Sequence, residues 1–207
     1  MSRIRSMRRF VAVPVAMAAA LLAIAGCSPT QAGAAATIGH ERITTSQLDA
    51  TVNNLRGALN GNDPQGSTAA STVTSVLQIM VNDRLFHIAA TKNSIVILPT
   101  EVASSRATLE SQNGGKANFE SSAAKNGIPP TMIDTILESN AILNRLGKQL
   151  VPKGTSAQQQ VALRLYLTKL SAELNTKVSP RYGTWDSTRL AIVPNSNAVS
   201  SAAPSAG

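Results

Sequence analysis

The sequence predicts a mainly α fold, a helical bundle with a minor short β element formed near the two ends of the domain. Apolar residues recur at three- and four-residue spacing through most of the stretch from 45 to 174. Gly, Pro and Asn interrupt that pattern at intervals suited to helices of three to six turns. The two segments that read as extended, 37–43 and 190–193, stand at opposite ends of it.

The chain of 207 residues opens with Arg3, Arg5, Arg8 and Arg9, followed by a run of mostly Ala, Val and Leu over 10–22. A charged start and such a run are the n-region and h-region of an export signal. Ile24, Ala25 and Gly26 then lead into Cys27, the one cysteine of the chain. This stretch resembles the bacterial lipobox. The resemblance implies cleavage after Gly26 and diacylglyceryl modification of Cys27, which becomes the first mature residue. A transmembrane reading of 10–24 fits less well, because a span needs about 20 apolar residues and no second charged flank follows. Dual acylation holds a protein stably on a membrane where a single chain does so marginally. The expected location is the cell membrane, lipid-anchored, on the extracytoplasmic face.

Residues 1–26 are thus expected to be a signal peptide and 27–36 a flexible tether, since Pro29, Gly33 and three consecutive alanines offer no periodic pattern. The folded domain is expected over 37–194. A tail of Ser, Ala, Asn and Pro over 195–207 is expected to be disordered. The formal net charge is +8, but four of the 19 basic residues and none of the 11 acidic ones fall in the signal, leaving 15 against 11, or +4. With no Lys/Arg block and few aromatics to stack on bases, nucleic acid is excluded as a partner class. A cysteine assigned to lipid leaves none for a disulfide, so stability must come from packing.

Within the domain, Ile38 and Ile43 flank Gly39-His40, a pair that turns a hairpin or bends a strand. Thr44 and Gln47 have the spacing of a capping box. Leu48, Val52, Leu55 and Leu59 continue as one helical face until Gly61-Asn62-Asp63-Pro64 stops it. A helix over 67–92 carries the broadest apolar stripe, Val73, Val76, Leu77, Met80, Val81, Leu85, Ile88 and Ala89, and is the expected central helix. Asn93 is its expected left-handed stop. Pro99 suits the first turn of the next helix, whose stripe of Val102, Arg106 and Leu109 is thin and ends at Gly114-Gly115. Phe119, Ala123 and Ala124 mark a short helix closed by Gly127. Met132, Ile133, Ile136, Leu137, Leu143, Leu146 and Leu150 define another helix. After a joint at 151–154, so do Val161, Leu163, Tyr166, Leu167, Leu170 and Leu174. Pro180, Gly183 and Trp185 exclude a regular helix beyond 178.

The order of these landmarks resembles the N-terminal domain of SurA-type periplasmic chaperones and related foldase lipoproteins. It is carried by Thr37-Ile38-Gly39-His40-Glu41-Arg42-Ile43-Thr44, by Gln47-Leu48-Asp49, by Val76-Leu77 through Leu85 to Ala89-Ala90, then Ile95, Glu101-Val102, Phe119, Asn126-Gly127-Ile128 and the stretch 143–150. Ser179-Pro180-Arg181-Tyr182-Gly183-Thr184-Trp185-Asp186 looks like the ending of an actinobacterial branch lacking the isomerase. Leu98 departs from the family's helix-capping Ser, Thr or Asp, and Ser94 from its Gly, leaving Asn93 for any left-handed turn. The resemblance implies a chaperone-like module. The five-residue joint at 151–155 cannot hold the parvulin prolyl-isomerase domain of about ninety residues that such foldases usually carry.

No nucleophile elbow, phosphate loop or metal-spaced His/Cys motif occurs, so neither an enzyme activity nor a cofactor is expected. His40 reads as a turn residue and His87 as a helix-face residue. Asp134 with Glu138, and Glu41 with Asp49, read as solvated surface beside basic neighbours. Met80, Met132, Tyr182 and Trp185 are the candidate polypeptide-binding residues, because methionine and aromatic side chains adapt to varied partners. Core packing is the competing reading and the preferred one for both methionines and for the Tyr182 and Trp185 pair, whose loop caps the core, since large rings usually fill space. The expected partners are unfolded or exported polypeptides, or else one dedicated envelope protein for which the chain is a scaffold.

Overall fold

The computed structural model describes residues 33–59 and 70–195. Strand β1 (Ala34–Ile38) turns through Gly39 and His40 into β2 (Glu41–Thr44), pairing Ile38 with Glu41 and Ala36 with Ile43. Gly39 sits at φ 59 and its N–H donates to the Leu174 carbonyl at 2.9 Å. A Cβ there would stand 3.0 Å from Leu174 Cδ2, so both the turn and the contact require glycine. The 27–36 tether is corrected at its end, because Ala34, Ala35 and Ala36 are strand. A register shift between Ala34 and Ala36 breaks the alternation, and both Ala35 and Ala36 are buried. Alanine suits that place because the helices close directly over it. The remainder of the tether and all of 1–26 lie outside the described residues.

Helix α1 (Thr45–Leu59) opens on the expected capping box: Thr44 N–H donates to Gln47 Oε1 at 2.8 Å and Gln47 N–H to Thr44 Oγ1 at 3.1 Å. Its buried residues are Leu48, Val52, Leu55 and Leu59, the row read from spacing. The stop at 61–64 lies outside the described residues, as does the expected start at 67. Helix α2 (Ala70–Lys92) is described from Ala70 and buries Val76, Leu77, Val81, Leu85, Ala89 and Ala90. It touches α1, β1, β2, α5 (Ile133–Leu150) and α6 (Ser156–Glu173), which makes it central. Each fully buried Leu or Val stabilises by about 1.5–3 kcal/mol relative to exposure.

The end of α2 corrects the expectation for Asn93. Ser94 takes the left-handed conformation at φ 54. Ile95 N–H donates to the Ala90 carbonyl and Ser94 N–H to the Thr91 carbonyl, the two bonds of a Schellman closure. Asn93 instead donates its side-chain amide to the Ala89 carbonyl and to Tyr166 Oη, both at 2.7 Å, tying α2 to α6.

Helix α3 (Pro99–Gln112) starts on Pro99 as expected, and the missing cap at Leu98 is supplied by Glu101, whose Oε1 accepts from Leu98 N–H at 3.3 Å. No α3 residue is buried. Helix α4 (Lys116–Lys125) buries Ala123 and Ala124, and a 3-10 turn (Pro130–Met132) leads into α5. Helix α5 buries Ile133, Ile142 and Leu146, together with Ser139 and Gly147, which apolar spacing does not reveal. A Cβ on Gly147 would stand 3.1 Å from Leu163 Cδ1, so glycine lets α5 and α6 approach closely. Thr155 and Gln158 cap α6 reciprocally. The α6 row is corrected at Val161, which is 61% exposed.

After α6 the chain returns to its beginning. Strand β3 (Lys177–Val178) pairs antiparallel with β1, giving the order β2-β1-β3, and β4 (Thr184–Asp186) pairs with β5 (Ala191–Val193) in a separate hairpin. This is a mainly α domain with its β element built from both ends. Asn195, the first residue of the expected tail, accepts from Thr184 Oγ1 at 2.8 Å and donates to the Pro180 carbonyl at 2.7 Å. Residues 196–207 lie outside the described residues.

Candidate polypeptide-binding site

Trp185 is 8% exposed and donates its indole N–H to Ser171 Oγ at 2.8 Å. Ser171 is itself fully buried and also donates to Thr176 Oγ1. The indole therefore fills the core with its one polar atom satisfied, and it is not an exposed platform. Met132 is 9% exposed. Met80 and Tyr182 are half-buried and pack against the main core, and Arg181 lies over the Tyr182 ring at 5.4 Å. The four nominated residues are thus largely committed to packing and do not form one open groove. Gly26 and Cys27 lie outside the described residues.

The open apolar surface lies elsewhere, around α3. Because α3 buries nothing, its apolar side chains remain available at its borders with α4 and α5. One cavity of about 340 Å3 is lined by Leu109 of α3, Phe119 and Ala123 of α4, Ile128, and Ile133, Ile136 and Leu137 of α5. Ser122, Asn113, Asn126 and Asn140 stand at the same cavity. The amide nitrogens of Asn113 and Asn126 close their own helices, donating to the Leu109 and Ser122 carbonyls. An apolar floor with amide groups beside it suits a side chain flanked by peptide backbone. Leu109, Phe119, Ile136 and Leu137 were visible in the sequence as periodic residues. Sequence reasoning did not single them out as a site; the one signal that could have found them is the thinness of the α3 stripe, which cannot cover what faces it.

A second cavity of about 560 Å3 uses other faces of the same helices, lined by Ile97, Val102, Ala103 and Ala107 and by Arg106, Lys116, Glu110, Asp134 and Glu138. Its charges are mutually engaged. Arg106 bonds to Glu110 at 2.7 Å, to Asp134 at 2.8 Å, and to Glu120, and the hydrogen bonds to Glu110 and Asp134 keep the guanidinium firmly protonated. The cluster fastens α3 to α4 and α5. Asp134 keeps the expected exposed position beside a basic neighbour, its side chain 59% exposed, and that neighbour is Arg106, which crosses from another helix 28 residues away.

Between α2 and α5, Asp83 is 9% exposed and accepts from Ser139 Oγ at 2.9 Å, while His87 Nε2 lies 3.3 Å from the same carboxylate. Ser, His and Asp are together here, yet the carboxylate is the hub of both contacts. A nucleophilic triad requires the imidazole between the other two. The arrangement satisfies a buried carboxylate and does not activate a hydroxyl. Among the described residues no cluster of three metal-ligating side chains occurs, and no helix is long and apolar enough to cross a membrane.

A family model described as the SurA-like N-terminal domain matches residues 1–147. Comparison with curated proteins and with solved structures gave no match.

Proposed function

The chain belongs to the SurA-like N-terminal domain family, and from that premise we propose that it is a membrane-anchored extracytoplasmic lipoprotein that binds exported polypeptides without catalysis. The observation that carries the binding role is the apolar cavity between α3, α4 and α5, with Leu109, Phe119, Ile136 and Leu137 on its walls and Asn side chains beside it. Its volume of about 340 Å3 falls at the lower end of ligand-sized cavities. Burying one large apolar side chain there contributes about 1.5–3 kcal/mol. A single such contact is weaker than a millimolar complex. Weak, short-lived contacts fit a holdase that must release its client. Anchoring through Cys27 would raise the local concentration at the membrane where exported chains emerge, and so compensate for weak sites.

A soluble form beginning at Ser28 is expected to suppress aggregation of several unrelated unfolded proteins. Leu137→Asp, which places a charge on the cavity wall, is expected to weaken that suppression by about tenfold while preserving helical content by circular dichroism. Protection of none of those proteins, with one envelope protein recovered by crosslinking in cells, would establish the dedicated-partner reading instead. Turnover of a proline-containing peptide would contradict the non-catalytic assignment.

A further inference from the structure

Helix α6 carries apolar residues on both faces. Leu167 and Leu170 are buried toward α2 and α5, yet Val161 and Leu165 on the opposite side are 61% and 67% exposed. At about 3.6 residues per turn, Ala157, Val161, Leu165, Thr168 and Ala172 form one row on the outer surface, with Arg164 to one side and Lys169 to the other. A shallow depression lies along its first half, lined by Ala157, Gln158, Val161, Ala162 and Leu165. Ordinary solvent-facing helices are polar on this side.

Charge identifies what such a row faces. Residues 139–185 contain seven Lys and Arg and a single acidic residue, Glu173, whereas 33–138 contain seven basic and nine acidic residues. Arg164 has no ion-pair partner among the described residues, and Lys169 has only Glu173 at 3.9 Å, with both side chains more than half exposed. Apolar side chains bordered by long basic ones match an interface of acyl chains below and anionic headgroups around, with the Arg and Lys stems extended to the headgroup level.

We propose that the outer face of α6 rests on an anionic lipid surface, with Val161 and Leu165 dipping into it and Arg164 and Lys169 meeting the headgroups. The inference rests on the reading that the domain works beside a membrane. It supplies an orientation that an acyl anchor on a tether does not: the basic α6 side faces the bilayer.

The test uses the form beginning at Ser28, which lacks any acyl chain and keeps every described element. It should co-sediment with vesicles containing phosphatidylglycerol and not with pure phosphatidylcholine, and the bound fraction should fall as salt is raised. Val161→Asp with Leu165→Asp should abolish sedimentation, and Arg164→Gln with Lys169→Gln should weaken it roughly tenfold. All these residues are exposed, so thermal unfolding by circular dichroism should remain at the parent temperature. Equal binding to both vesicle types, binding to neither, or binding unaffected by the Asp pair would overturn the proposal. Concentration-dependent dimers dispersed by the Asp pair would assign the row to a second copy and overturn it too. The same would follow if the Asp pair abolished aggregation suppression while vesicle binding persisted. Suppression that is lost in Leu137→Asp but kept in the Asp pair, with vesicle binding reversed between them, supports both readings independently.

Discussion

His87 shows how one residue acquires meaning from neighbours remote in sequence. Its Nε2 lies 3.3 Å from Asp83 Oδ1 and 4.0 Å from Glu138 Oε2, so its pKa is raised, first by the hydrogen bond to Asp83 and then by both carboxylates, against desolvation and the nearby Arg84. A folded pKa above the unfolded value of 6.5 means that imidazolium is bound more tightly in the native state. The stabilisation is therefore complete below about pH 6.5 and is lost as pH rises through the raised value. Urea unfolding at closely spaced pH values should show stability falling across that window, and His87→Gln should flatten the fall; an identical slope in the variant would sink the assignment. The helical spacing of 83 and 87 was legible in the sequence. Glu138 was not, because 51 residues separate it from His87. Ser94 is a similar case. It stands where the resemblance places a Gly and takes the left-handed turn itself, while the Asn93 amide is engaged by the Ala89 carbonyl and Tyr166 Oη.

Among the elements, the long helices were legible and the strands only in part. Rows such as Leu48, Val52, Leu55 and Leu59 announce a helix because each residue reports the same face. A two-residue strand like β3 has no such redundancy, and its existence depends on β1 lying beside it. The family match ends at residue 147, but the packing does not. Leu167, Leu170, Trp185 and Ile192 all join the main core, and β3 closes one edge of β1. A form spanning 28–147 would therefore expose Ala35, Ala36 and the α6-facing side of α2. It is expected to show no cooperative transition in urea, whereas 28–195 is expected to unfold in one step. A sharp transition in the shorter form would mean that the last third is dispensable. Helix α3 stands at the other extreme. With nothing buried, it is held to its neighbours by Arg106 reaching Glu120 of α4 and Asp134 of α5 and by Glu101 pairing with Arg145 of α5, and the cavities on either side of it follow from that loose apolar fit.

For the whole molecule, the proposed role joins an anchor, a weakly binding cavity and a basic face. Cys27→Ala should leave the circular dichroism and unfolding of the domain unchanged and shift the protein out of the membrane fraction or leave the precursor uncut; a variant still processed normally and labelled by lipid would refute the anchor. The sequence by itself determined the class of fold, the order of its helices and the location of most of the core, because periodicity is a local property repeated many times along each helix. It also supplied the signal-like start and the lipobox-like stretch ending in Cys27, a pattern legible from linear order alone. Only the tertiary structure decided that Val161 and Leu165 face outward and that Leu109 and Leu137 share a cavity. An apolar side chain looks the same in sequence whether its helix turns it inward, outward or toward a gap, and that choice is made by the neighbouring elements that pack against it.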